Sequence, residues 1–490
     1  MTGGGPVTAD GPVTADGPVT ADGPVTADGP VTADGPVTAD GPVTAAQDML
    51  ALCGGTVVTS LDPPEVTEAD LVLAGDRVLA VGTAPGGAAR RDATGTLIVP
   101  GAVCAHHHLY SALARGMPFR LAAPTDFTEI LQRVWWRLDR ALDEASIRAS
   151  ALTAGLEALL AGTTTIVDHH ASPNSIDGAL DIIADALGSL GLRCVLCYEV
   201  TDRDGPQRAR AGIAENLRFL AAGRPLARGM MGAHASFTMS DETLAACADG
   251  ARQAGVGIHI HVAEDAADNR DAVARCGHTA AARLHRAGVI TARALLAHCV
   301  HVTGPEIELA EVAGATVVCN PRSNMNNAVG TSPFTLRPGR VALGTDGIGG
   351  DMIAESQAGF FRAREESLAV PPRWPLARLA AGAAFAGRAS GEPLLGTLRP
   401  GAPADVVILD YPAPAPLTAA GLAGHWVFGL TARCVRDVYV AGARVVADGR
   451  STRLDAAALA AESSAEAARL WGRLEGIEPH PYAPGGRRSR

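Results

Sequence analysis

The chain contains no lysine: all 41 of its Lys-plus-Arg residues are arginines. A Schiff-base lysine, a phosphate-loop lysine and a carbamylated lysine bridging two metals are therefore excluded, and several enzyme classes go with them. Long apolar runs are missing too. No stretch of about 18 residues is free of charge, polar breaks, glycine or proline. The N-terminus has no basic segment leading into an apolar core, so neither a membrane span nor a secretory signal is visible and the protein reads as cytoplasmic. There is no disulfide framework. Nine cysteines, an odd number scattered over a long chain, fit reduced thiols, and Cys194-x-x-Cys197 lies inside the apolar run Arg193–Tyr198, where buried strand residues are expected. Positive charge on one face is lacking as well. A formal charge of −11 argues against nucleic acid as a partner, the only basic cluster being the short tail Arg487-Arg488-Ser489-Arg490.

What is present starts with size: 490 residues, 47% of them hydrophobic, suffice for one large domain and a smaller one. Gly5 to Ala46 repeats Gly-Pro-Val-Thr-Ala-Asp seven times, the last copy ending in Ala46. A Pro and a Gly every six residues block helix and central strand alike, and one Val per unit does not offset the entropy of ordering. Residues 1–46 are expected to be disordered, the product of repeat expansion or of a start at Met49, with a linker or binding arm as the functional alternative.

From Met49 onward short apolar segments read as strands: Leu50–Cys53, Thr56–Thr59, Asp70–Ala74 and Arg77–Val81. Similar segments return at Asp405–Asp410, Cys434–Val440 and Ala443–Val446, with Asp448-Gly449 as a turn. Residues 47–100 and 398–455 are therefore expected to form one small β-sandwich built from both chain ends. Between them, over 101–397, apolar strands alternate with Ala-rich helical stretches, as consecutive βα units do. Eight strands are expected, at 97–105, Thr164–His169, Arg193–Val200, Met230–Ser236, Val256–Ala263, Ala294–Val302, Thr316–Asn320 and Val341–Thr345. Helix candidates include Ser150–Ala161, Ile176–Leu190, Asp241–Gln253, Arg270–Arg286, Pro305–Val312 and Ser356–Leu368, and Thr303 with Glu306 forms a capping-box signal. The pattern predicts an α/β fold, a (β/α)8 TIM barrel, with a C-terminal helix and tail over 456–490 packed outside it.

Catalytic groups of such a barrel sit at the C-terminal ends of its strands. There the chain places His106-His107-His108, Asp168-His169-His170, His234, His259-Ile260-His261 with Glu264, His298-Cys299-Val300-His301, Asn320-Pro321-Arg322-Ser323-Asn324 and Thr345-Asp346-Gly347. These strand ends hold most of the chain's 14 histidines. In an extended strand alternate side chains share a face, so His106 and His108 project together. A borderline cation favours imidazole and carboxylate ligands and keeps a position open for water. His106, His108, His261 and Asp346 meet that description. His259, on the same face as His261, is the rival ligand, read here as a supporting residue, and Glu264 is placed to reach a substrate.

The segments Pro100-Gly101 leading to His106-x-His108, His259-x-His261-x-x-Glu264, His298-Cys299-Val300-His301 and Gly344-Thr345-Asp346-Gly347 occur in one chain order that resembles the amidohydrolase superfamily, in particular its cytosine- and guanine-deaminase-like branch with a single metal. The likeness spans 49 to about 450. Asp168–Asn174 and Asn320–Asn327 look most like the SsnA-type aminohydrolases of that branch, near the 8-oxoguanine and triazine aminohydrolases. Departures are the N-terminal repeat and His107, where the family commonly has a small or hydroxylated residue. The absence of lysine suits the single-metal branch.

The resemblance implies a metal-dependent aminohydrolase that attacks an amino-bearing ring carbon with metal hydroxide and releases ammonia, on a purine, pterin or triazine-like heterocycle. It implies one divalent ion, zinc first, with iron or manganese as alternatives. Glu264 becomes the proton shuttle, His298 orients the water, and Asp346 is both ligand and acceptor of the second proton. His234, His170, Asn324 and Arg322 are candidates for hydrogen bonds to the ring. Trp135 or Trp136 is placed to stack on it, core packing being the better account of one of the pair. The partners expected are a small heteroaromatic substrate and further copies of the chain, as a homodimer or larger homo-oligomer, with neither nucleic acid nor membrane. Two rival readings remain: a chlorohydrolase or cyclic-amide hydrolase on the same scaffold, and a non-catalytic binding protein.

Overall fold

A computed structural model describes residues 49–484; the repeat at 1–46 and the tail at 487–490 lie outside the described residues. Eight parallel strands run through the middle of the chain: β1 (Ala102–His107), β2 (Thr163–His170), β3 (Arg193–Tyr198), β4 (Met231–Ala235), β5 (Ile258–Val262), β6 (Leu295–His298), β7 (Thr316–Cys319) and β8 (Val341–Leu343). β1 to β3 pair in sequence, and so do β4 to β8. The two runs meet at a parallel bridge between Val200 and Ala233 and at another between His107 and Asp346. At the second, the Thr345 and Asp346 N–H groups donate to the His106 carbonyl at 2.9 and 3.1 Å, and the His108 N–H donates to the Asp346 carbonyl at 3.1 Å. Val103, Ala105, Val167, Val195, Cys197, Leu295, Val318 and Ala342, drawn from six of the strands, pack together in one buried layer.

Two expectations need correction. The strand expected over 97–105 is two: Leu97–Pro100 belongs to a flanking sheet and β1 begins at Ala102. Between them Gly101 passes so close to β2 that a Cβ there would lie 2.0 Å from Thr164 Oγ1. The helix expected over Arg270–Arg286 is also two, Ala266–Cys276 and Ala280–Arg286, because Gly277 adopts φ +71° and caps the first. The capping box at Thr303 and Glu306 is present, and two helices unmarked in the sequence reading, Pro206–Ala221 and Trp374–Ser390, complete the set around the strands.

The chain ends meet in a seven-stranded sheet. Val406–Leu409 pairs antiparallel with Leu97–Pro100, which pairs parallel with Thr56–Leu61. A second, four-stranded sheet holds Met49–Cys53, Asp70–Ala74, Arg77–Gly82 and Ala89–Asp92. Leu52, Leu71, Val78, Val57, Ile98, Val406, Ile408 and Tyr439 from the two sheets form one buried cluster. Asp448 and Gly449, both with positive φ, make the expected tight turn. The helix Ala456–Glu475 packs against Glu144–Leu160 and sends Trp471 Nε1 to the Leu113 carbonyl at 2.8 Å. Among the described residues no helix is long and apolar enough to cross a membrane.

Candidate metal and active site

The pairing of β1 with β2 slips between Cys104 and His107, where the strand carries an extra residue. A bulge of this kind re-aims side chains: Val103 and Ala105 stay in the buried apolar layer, while His106 and His108 beyond them reach Asp346. His106 Nε2 lies 3.3 Å and His108 Nε2 3.1 Å from Asp346 Oδ1. His108 Nε2 also faces His261 Nε2 at 3.1 Å. Strands β1, β5 and the segment after β8 thus bring all four expected ligands together.

Each of the three imidazoles has its outward nitrogen occupied. His108 Nδ1 lies 2.6 Å from the His169 carbonyl and His261 Nδ1 2.9 Å from the His234 carbonyl. A carbonyl only accepts, so both Nδ1 atoms carry a proton and, in the neutral rings a metal would need, both Nε2 atoms point inward as lone pairs. His106 Nδ1 is paired with His259 Nε2 at 2.8 Å, and His106 Nε2, fully buried, has no hydrogen-bond partner. With the rings neutral, the His108 and His261 lone pairs and the Asp346 carboxylate face one another at 3.1 Å, an arrangement that a cation between them relieves and that, without one, a proton taken up by His108 relieves. Those separations also fit ligand bonds of about 2.0–2.1 Å, so the residues fit a divalent ion. Burial holds His106 and His261 well below the usual imidazole range, keeping them neutral. Burial opposes ionisation of Asp346 too, yet His106 and His108 hold its carboxyl well below the carboxylate range, and against the same burial Asp346 lifts His108 to about 9.

Glu264 lies beside this cluster. Burial pushes its carboxyl up to about 7 against the pull of His298, and Asn327 Nδ2 donates to it at 3.3 Å. His298 Nε2 is 3.6 Å from Glu264 Oε2, and Glu264, His298 and Asp346 present their polar atoms to one another. Ala263, His298, Cys299 and Asp346 all have positive φ, from +44° to +70°. Such backbone costs about 1–3 kcal/mol per residue and concentrates where side chains must be aimed. Ser323 Oγ holds the second oxygen of Asp346.

A cleft opens above the cluster, lined on its apolar side by Phe127, Leu131, Trp135, Trp136 and Phe237. Of the residues expected to touch the ring, Trp135 and His234 line it; three others do not. The Arg322 guanidinium is bound to the buried Glu355 carboxylate and donates to the Gly349 carbonyl. Asn324 Oδ1 accepts from His298 Nδ1–H at 2.8 Å and so holds His298. His170 alternates outward from His169 and bonds Ser172 Oγ at 2.9 Å. In the other direction, Glu199, just past the end of β3 and not among the expected site residues, lines the cleft. Its signal was a single carboxylate closing the apolar run Cys194–Tyr198.

The pattern shared by the amidohydrolase family matches residues 97–445. A 5-methylthioadenosine/S-adenosylhomocysteine deaminase from Moorella thermoacetica is 32% identical over 378 residues, covering 74% of this chain and 85% of that enzyme. The crystal structure of an adenosine deaminase from Xanthomonas campestris with bound zinc superposes with a TM-score of 0.75 at 23% identity, over 87% of this chain and 99% of that one. The atrazine chlorohydrolase TrzN from Arthrobacter aurescens, crystallised with zinc, does so with a TM-score of 0.73 at 22% identity, over 85% and 100%. With the family's pattern matched over most of its length and a relative above 30% identity spanning most of both chains, this chain belongs to the amidohydrolase family.

Proposed function

We propose that this protein is a metal-dependent aminohydrolase that removes ammonia from an amino-substituted heterocycle of the purine, pterin or triazine class. One divalent ion, zinc first, is held by His106, His108, His261 and Asp346. The single observation that carries the reading is the convergence of His106, His108 and His261 Nε2 with Asp346 Oδ1, next to a separate buried carboxyl, Glu264. Relatives named as deaminases of purine nucleosides support it. The eight strands are read as one (β/α)8 barrel over 101–397, closed through the Val200–Ala233 and His107–Asp346 bridges, with a small β-sandwich from 47–100 and 398–455. A cytoplasmic homodimer or larger homo-oligomer completes the reading.

When bound, the ion lowers the pKa of a coordinated water from 15.7 to about 7 and so makes a nucleophile available at neutral pH. Glu264 takes the proton of the attacking water and delivers it to the ring nitrogen beside the reacting carbon. His298, fixed by Asn324, orients that water. Asp346 accepts the second proton, which leaves with the amine as ammonia while the ring carbon keeps the oxygen. The chlorohydrolase reading is weaker: halide leaves without a proton, so that reaction uses Glu264 only to take the proton of the attacking water and not to deliver one for the leaving group, and likeness to the triazine enzymes is a likeness of fold.

The test is ammonia release by the purified protein over a panel of aminopurines, pterins and aminotriazines, with metal content measured on the same sample. Turnover of a panel member with about one metal per chain supports the reading; chloride release from a chlorotriazine without any deamination overturns it.

A further inference from the structure

We propose that Glu199 selects the substrate by binding a ring N–H on the edge of the heterocycle away from the reacting carbon, so that the enzyme takes free bases in preference to their N-glycosides. The inference rests on the aminohydrolase reading above.

Glu199 is 3% exposed and faces the cleft together with His234, Trp135, Trp136 and Glu264. Among the described residues its carboxylate has two polar contacts: His169 Nδ1 at 3.2 Å from Oε2 and His234 Nε2 at 3.6 Å from Oε1. No backbone N–H donates to it, in contrast to Asp168 and Asp268 nearby, which accept from Leu109 and from Phe237 and Ala263. A carboxylate has about four acceptor positions, and a buried one left short of donors is costly. Its open capacity is turned to the cleft, where a bound molecule supplies what the protein does not.

What that molecule presents follows from chemistry and distance. A carboxylate only accepts, so the group it meets must be a donor. The polar atom of Glu199 lies within 4.8 Å of the ligand nitrogens of His108 and His261. That is about the width of one ring, so the donor belongs to the heterocycle itself and not to a substituent beyond it. A purine substituted at N9 offers only acceptors on its imidazole edge, whereas the free base offers an N–H donor there. Glu199 is not available as a ligand in a complete second metal site, although it clusters with His108, His169 and His261. His108 and His261 already turn Nε2 toward Asp346 and each other, and His169 Nε2 is taken by the His259 carbonyl at 3.2 Å.

Metal-loaded wild type, Glu199→Gln and Glu199→Asp are compared on adenine with adenosine and on guanine with guanosine, by ammonia release and by calorimetric binding, with metal content and melting temperature measured for each. Wild type is expected to bind or turn over the free base at least 10-fold better than its nucleoside. Losing a charge-assisted hydrogen bond should weaken the free base by about 10- to 100-fold in Glu199→Gln, chiefly in KM or Kd, with a clearly smaller loss for the nucleoside and partial restoration for the free base in Glu199→Asp. If free bases bind with this dependence but none releases ammonia, the recognition role stands and the deaminase reading fails. Nucleosides preferred over bases, equal losses on both members of a pair, binding of neither, or a second metal per chain that Glu199→Gln removes would each overturn the proposal.

Discussion

A buried imidazole serves as a ligand only when its outward nitrogen is occupied, and here His169, His234 and His259 do that for His108, His261 and His106. Two of those contacts run through backbone carbonyls and cannot be mutated away; the third is a side chain. His259→Leu is expected to weaken metal binding by about 10- to 100-fold, measured by competition with a chelator. His108→Ala combined with Asp346→Ala should abolish stoichiometric metal; one ion per chain retained in that double variant contradicts the ligand set. Glu264 must be ionised to take a proton from water. With burial pushing its carboxyl to about 7 and a bound cation drawing it lower, kcat/KM should fall as pH drops through a limb at or below about 7. A rate that rises toward acid would count against this role. The convergence of the proposed ligands and Glu264 is legible in the sequence because they stand on strands or one turn beyond, where alternation sets direction. For Arg322 and Asn324, expected to reach the ring, the short helix Pro321–Asn326 follows β7 and turns one onto Glu355 and the other onto His298. Residue type was visible there, but direction was not.

Elements place these residues through their joins. Apolar β-branched runs and turn residues made all eight strands legible, yet the break at Gly101 was invisible because Leu97 to Ala105 is one uninterrupted apolar run apart from Pro100-Gly101. Only the tertiary neighbour, Thr164, divides it. Gly101→Ala should cost about 1–3 kcal/mol by overpacking, read from denaturant unfolding. Thr164→Ala should recover only part of it, since Thr164 Cβ itself lies 2.7 Å from the added atom. Full stability in Gly101→Ala would show that the junction has room. The bulges in β1 and β4 were equally hidden: period-2 reasoning fixes which residues share a face but not where the period slips, and both slips fall where a histidine enters the cleft wall or the ligand cluster.

At the scale of the molecule, the fold brings strands from 56–100 and from 406–451 into one sheet and a set of strand ends into one cluster, while the seven-copy repeat lies outside the described residues. A chain starting at Met49 should match the full chain in melting temperature and turnover; a loss of either would make the repeat part of the working protein. Binding of an ion to the folded state alone should raise the melting temperature with ion concentration. The most direct measurement is ammonia release by Glu264→Gln beside its metal content. The variant should hold as much metal as wild type and release ammonia about 10²- to 10⁴-fold more slowly. Deamination at near wild-type rate with the metal in place would contradict the assignment of Glu264 as proton shuttle, and with it the separation of metal and acid on which the proposed reaction depends.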